Sequence, residues 1–129
     1  MIFEFHRQIG MVGEEGISYD NKIKEFFIFS KLRMENNYSF KLDLSDEIEK
    51  QLLNKLNKLK IWDWKKDYNE GLKYEHVPDM EYWNLHISMK GHKIKSKGYA
   101  EYPKKFNLLL KYLNELFKSN FYLNDDEEE

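Results

Sequence analysis

The sequence predicts an α+β fold: an antiparallel sheet of about five strands, in the order strand, hairpin, helix, hairpin, helix, with both helices packed on one face. Three observations carry this expectation. Apolar residues alternate in segments 2–9, 38–44 and 83–89, as a strand with one buried face requires. They recur at i, i+3 and i+4 in segments 45–60 and 103–117, the spacing of a helix with one apolar stripe. Short turn signals separate neighbouring strand segments, and strands joined by tight turns are antiparallel.

The elements follow in order. In segment 2–9, Phe3, Phe5 and Ile9 lie on one side and Glu4, His6 and Gln8 on the other. Segment 10–16 holds Gly10, Gly13 and Gly16 and reads as a flexible loop, without the spacing or the Lys-Ser/Thr ending of a phosphate-cradling loop. Segments 23–34 and 38–44 form the first hairpin, with Asn36-Asn37 as a turn that tolerates positive φ. Ser45 caps a helix whose stripe is Ile48, Leu52, Leu56 and Leu59, with Asp46 and Glu47 at the positive end of its dipole. Residues 62–68 read as its last turn or a short extension, and 69–81 as a loop broken by Gly71 and Pro78. Trp83, Leu85, Ile87 and Met89 then point inward on a strand, Lys90-Gly91 turns the chain, and the return strand sets Lys93, Lys95 and Lys97 outside and Ile94 inside. His86 and His92 flank this turn and are expected to face each other as a cross-strand polar pair. Pro103 suits the first position of a final helix, where its missing N–H costs nothing. Phe106, Leu109, Leu110, Leu113, Leu116 and Phe117 give that helix its stripe.

A chain of 129 residues is long enough for one core. Residues 1–124 read as a single domain, and the five acids of 125–129 as a solvated, disordered tail. No run approaches the ~20 apolar residues of a membrane span. The first residues lack the basic start and long apolar stretch of a secretory signal, so a cytoplasmic location is expected. Zero cysteines exclude disulfides, thiolate metal sites and thiol nucleophiles. The net charge of −2 hides an uneven layout: without the five terminal acids it is +3. Residues 90–111 carry seven lysines and one acid, Glu101.

Trp64-x3-Tyr68, Asp79-x3-Trp83-Asn-Leu-His-Ile, and Ser96-Lys-Gly-Tyr-Ala-Glu-Tyr-Pro-x2-Phe106 together resemble a pattern in small uncharacterised bacterial proteins. In that pattern a tryptophan-containing strand pairs with one ending in Ser-x-Gly-x-Asn-x-Tyr-Pro, and a C-terminal helix follows. Ala100 stands where the pattern prefers Asn, and Met80 where Gly often follows the Asp. The resemblance covers roughly residues 60–117 and implies the second hairpin and the last helix, with no chemistry attached.

Catalytic and metal motifs find little support. Glu75-His76-x2-Asp79-x-Glu81 is the one His–carboxylate cluster, and it lacks a second histidine at ligand spacing. No serine sits in an elbow-type glycine context. No enzyme activity, metal or cofactor is expected. The densest signal is the aromatic–charged segment 61–82. There Trp62, Trp64, Asp67, Tyr68, Tyr74, Glu75, Asp79 and Glu81 form the candidate partner-binding set, because aromatic anchors ringed by charge suit a macromolecular interface. Trp62 and Trp83 also read as core residues, since one continues a helix stripe and the other leads an inward face. The expected function is stoichiometric inhibition of another protein, as by a phage anti-defence (anti-CRISPR-like) protein acting on a defence nuclease complex, or a toxin-immunity protein acting on a toxin. The alternative is nucleic-acid binding by a basic face of Lys93, Lys95, Lys97, Lys104 and Lys105, against which stand a near absence of arginine and the role of strand lysines as guards of a sheet edge. An open sheet edge makes a homodimer plausible.

Overall fold

A computed structural model describes residues 1–33, 37–68 and 81–124. It is an α+β arrangement of a seven-stranded sheet and two α-helices. The strands are β1 (Ile2–Ile9), β2 (Gly13–Asp20), β3 (Glu25–Leu32), β4 (Tyr38–Asp43), β5 (Asp67–Tyr68), β6 (Glu81–Met89) and β7 (His92–Tyr99). The helices are α1 (Asp46–Lys58) and α2 (Phe106–Phe117). Spatial order is β4-β3-β2-β1-β6-β7-β5, antiparallel except that β5 runs parallel to β7.

Two strands exceed the sequence expectation. The glycine-rich segment is a turn followed by β2, which pairs with both β1 and β3. Its glycines serve packing as well as turning. A Cβ on Gly16 would run into the Phe5 carbonyl oxygen and come within 3.1 Å of the Phe29 ring, so glycine here marks close approach inside a sheet. The second addition, β5, is only two residues long and lies where the first helix was expected to continue. That helix instead stops at Lys58. Lys60 adopts a left-handed conformation, one 3-10 turn follows at Ile61–Asp63, and Trp64 is extended.

Other expectations hold locally. Ser45 caps α1, its Oγ accepting from the Ile48 N–H at 3.1 Å. Lys90 and Gly91 both have positive φ, as a two-residue hairpin turn requires. The final helix forms but starts later than expected: it begins at Phe106, so Pro103 stands three residues ahead of it in the preceding turn and not at its first position, with its carbonyl accepting from the Phe106 N–H at 3.0 Å. The Asn36-Asn37 turn falls partly outside the described residues, and the acidic segment 125–129 wholly so.

One face of the sheet carries the core. Phe3, Phe5, Ile17, Phe26, Ile28, Trp83, Leu85 and Ile87 pack against Leu52 and Leu56 of α1 and Phe106, Leu109, Leu110 and Leu113 of α2. Strand parity sends the alternate residues to the opposite face. There Glu4, Ser18, Phe27, Lys41, Asn84 and Lys95 are exposed.

Candidate functional site

The face opposite the helices, uncovered among the described residues, is built by register. Pairings Phe29↔Gly16, Gly16↔His6, His6↔Asn84 and Tyr82↔Tyr99 set its side chains in rows across the strands. Five rings form a ribbon over β3, β2, β1, β6 and β7. Phe27 and Phe29 stack with centroids 6.0 Å apart, Phe29 lies 6.4 Å from His6, His6 5.7 Å from Tyr82, and Tyr82 6.0 Å from Tyr99. Gly16 leaves room for the ribbon to cross β2. Phe27 is 41% exposed, high for a phenylalanine.

Charge on this face divides across the ribbon's length. Glu4, Glu14, Asp20, Glu25 and Asp43 lie on the β1–β4 side, with Lys31 and Lys41 among them. Lys93, Lys95 and Lys97 stand exposed on β7 at the other end. Lys104 and Lys105 are exposed in the turn before α2, apart from that lysine row.

The aromatic–charged segment falls at the sheet edge. Trp62 is half-buried, stacks on His92 at 5.0 Å, and donates from Nε1 to Asn57 Oδ1 at 2.7 Å. Trp64 is half-buried with its ring 6.4 Å from Phe106. Tyr68 lies 5.7 Å from Trp83, and its hydroxyl accepts from the Lys65 N–H at 3.0 Å. Thus the three rings border the core on the helix side. Asp67 points the other way and meets Lys97 at 3.8 Å. Trp83 is fully buried, donating from Nε1 to the Glu101 carbonyl at 2.8 Å. Tyr74, Glu75 and Asp79 lie outside the described residues, as does His76. His86 and His92 do not face each other: register sets His86 opposite Lys95 and His92 opposite Met89, on opposite sides of the sheet.

A second polar group lies under the core face. Arg7 and Glu15 are neighbours across β1 and β2, wholly buried, with Arg7 Nη1 3.4 Å from Glu15 Oε2. Arg7 Nη1 also donates to the Tyr122 carbonyl at 2.5 Å, Nη2 to Asn124 Oδ1, and Nε to the Tyr102 hydroxyl at 3.2 Å. Its guanidinium lies over the Tyr102 ring, 5.0 Å from the centroid. Tyr102 in turn donates to Glu81 Oε1 at 3.2 Å. Glu15 accepts from the Tyr122 N–H at 3.1 Å, and Asn107 and Asn124 exchange two hydrogen bonds at 2.9 and 2.8 Å. Burial pushes the Glu15 carboxyl up to about 7, against the pull of Arg7, and burial pushes Tyr102 up to about 12. Every polar arm of Arg7 meets a partner, so this group clamps residues 122–124 onto the sheet.

Sequence reading passed over Arg7, although its parity with Phe5 and Ile9 already placed it on the buried side. Glu15 was hidden by the loop reading of its segment. Among the described residues, no three His, Asp or Glu side chains are placed to share a metal ion, and no helix is long and apolar enough to cross a membrane. No family model matches the chain, and a search of curated proteins finds no similar sequence.

Proposed function

We propose that this chain is a non-catalytic protein that inhibits another protein by stoichiometric binding, and that the partner docks on the uncovered sheet face. The observation carrying this reading is the five-ring ribbon on a face that, among the described residues, no helix covers. Aromatic rings bury large area with little loss of side-chain freedom, and they dominate the centres of protein interfaces. Glycine at the crossing point keeps the ribbon low, so that a partner surface can approach it.

Flanking charge favours a protein over a nucleic acid. A phosphate backbone laid across the whole face would meet Glu4, Glu14, Asp20 and Glu25 before reaching the lysines of β7. One of only two arginines, Arg7, is buried and occupied. A protein partner can present both signs, and complementary potentials steer encounter and fix orientation. A defence nuclease complex or a toxin suits such an inhibitor. Trp62, Trp64 and Tyr68 extend the anchor set only at its margin, because their contacts run to the core.

One observation favours the second reading, nucleic-acid binding: Lys93, Lys95 and Lys97 share an exposed face with Tyr82 and Tyr99, the pairing of cation and ring that single strands use.

Affinity purification from the native host, followed by reconstitution with the recovered partner, tests the proposal. A one-to-one complex is expected, weakened at least about tenfold by Phe29→Ala or Tyr82→Ala with the unfolding midpoint little changed. A complex indifferent to both changes, or one that oligonucleotide displaces, contradicts it.

A further inference from the structure

The open face contains a hollow at the corner where β5, β6 and β7 meet. It is an open hollow of about 260 Å³ whose lining includes Lys66, Lys95, Lys97, His86 and Asn84 beside Leu85 and Ser96. Register explains the convergence. Asn84 lies opposite Lys97 and His86 opposite Lys95, while the Lys97 N–H donates to the Lys66 carbonyl at 3.0 Å and draws Lys66 alongside. Lys97 meets Asp67 at 3.8 Å, but both side chains are well exposed, and such a pair is weak. Among the described residues, no carboxylate lies within ion-pair distance of Lys66 or Lys95. Two residues beyond Asn84 and Lys97 along the same strands, about 7 Å from them and about 13 Å from Lys95, Tyr82 and Tyr99 present their rings with His6 beside them.

We propose that this corner binds a free nucleoside phosphate, the phosphate seated among Lys66, Lys95 and Lys97 and the base stacked on Tyr82 and Tyr99. Three lysines line one hollow, and their ammonium groups, on flexible stems, supply the charge that a phosphate dianion requires, beside a concave wall that concentrates it. Aromatic rings two residues beyond Lys97 supply a platform that accepts any base. The separation suits one nucleotide. The hollow is smaller than the ~300–1,000 Å³ of a site enclosing a drug-sized ligand, which is the right scale for phosphate and ribose with the base outside on the rings. Acids toward β1 and β4 oppose extension of a strand across the face. This inference does not depend on a protein partner, because the ligand binds the isolated chain.

Calorimetry on the isolated full chain at low salt tests it, with AMP, inorganic phosphate and a short oligothymidylate as probes. AMP is expected to bind. Lys66→Ala combined with Lys95→Ala weakens it at least about tenfold. Tyr82→Ala weakens AMP several-fold and leaves inorganic phosphate unchanged, whereas Lys31→Ala, on the same face near the opposite edge, alters neither. Circular dichroism and the denaturation midpoint of each variant establish that it folds. No AMP binding up to about 5 mM, or an equal loss in Lys31→Ala, overturns the proposal. So does an oligothymidylate that binds far more tightly than AMP, since it would assign the corner to a strand.

Discussion

Arg7 and Glu15 decide how the inner face is held together. A wholly buried guanidinium is tolerable only when fully partnered, and here it meets a carboxylate, a carbonyl, an amide oxygen and a phenol hydroxyl. Glu15 is different, because burial outweighs its partner and lifts its carboxyl from the ordinary 4.5 to about 7. A carboxyl raised in the folded state lends stability that is complete below its unfolded value and lost as pH climbs through the folded one. The native protein should therefore lose stability relative to Glu15→Gln between pH 4.5 and 7, by on the order of 3 kcal/mol. Urea unfolding across that range measures the difference. A native protein that gains on the variant as pH rises would mean that the pairing with Arg7 outweighs burial. Removing the other partner, in Arg7→Ala, should cost about 3–5 kcal/mol. Both residues were open to a period-two reading in principle. Arg7 alternates with Phe5 and Ile9, but an ionised side chain on an apolar face is set aside by any rule based on hydropathy alone. Glu15 could not be placed while Gly13 and Gly16 signalled a loop.

Elements were legible where periodicity and capping agree, and obscure where a glycine or a short strand served tertiary packing. α1 has both a capping serine and an apolar stripe, and α2 has the stripe. The hairpin of β6 and β7 has strict alternation and a Lys-Gly turn. β2 escaped because its glycines accommodate Phe29 and the neighbouring backbones, a contact invisible before the partner strands are known. β5 escaped because two residues carry no period. Its existence depends on α1 ending at Lys58, and the left-handed Lys60 is the element that redirects the chain. Glycine adopts that conformation without the steric cost that a Cβ imposes. Lys60→Gly should therefore leave stability unchanged or raise it by about 0.5–1 kcal/mol, read from the denaturant midpoint. A loss of stability would show that the Lys60 side chain makes stabilising contacts that outweigh the strain of its backbone.

At the scale of the whole molecule, asymmetry between the two faces of one sheet is the organising fact. Helices, most large apolar residues and the buried Arg7–Glu15 group occupy one side, and the ribbon with its divided charge occupies the other. The fold class and the placement of Lys93, Lys95 and Lys97 on an outer strand face were legible in the sequence. The ribbon was not, because its five rings come from β1, β3, β6 and β7 and meet only after seven strands take their order. Aromatic density around residues 61–82 marks a local cluster, whereas assembly of distant strands creates the broader surface. The most direct test of a partner docking on this face is chemical-shift mapping of the isotope-labelled chain on titration with its purified partner. The largest changes are expected on His6, Phe27, Phe29, Tyr82 and Tyr99. Changes confined to the helix side, at Leu53 of α1, Tyr112 of α2 and Trp62, which pack against the core from that side, would contradict docking on this face.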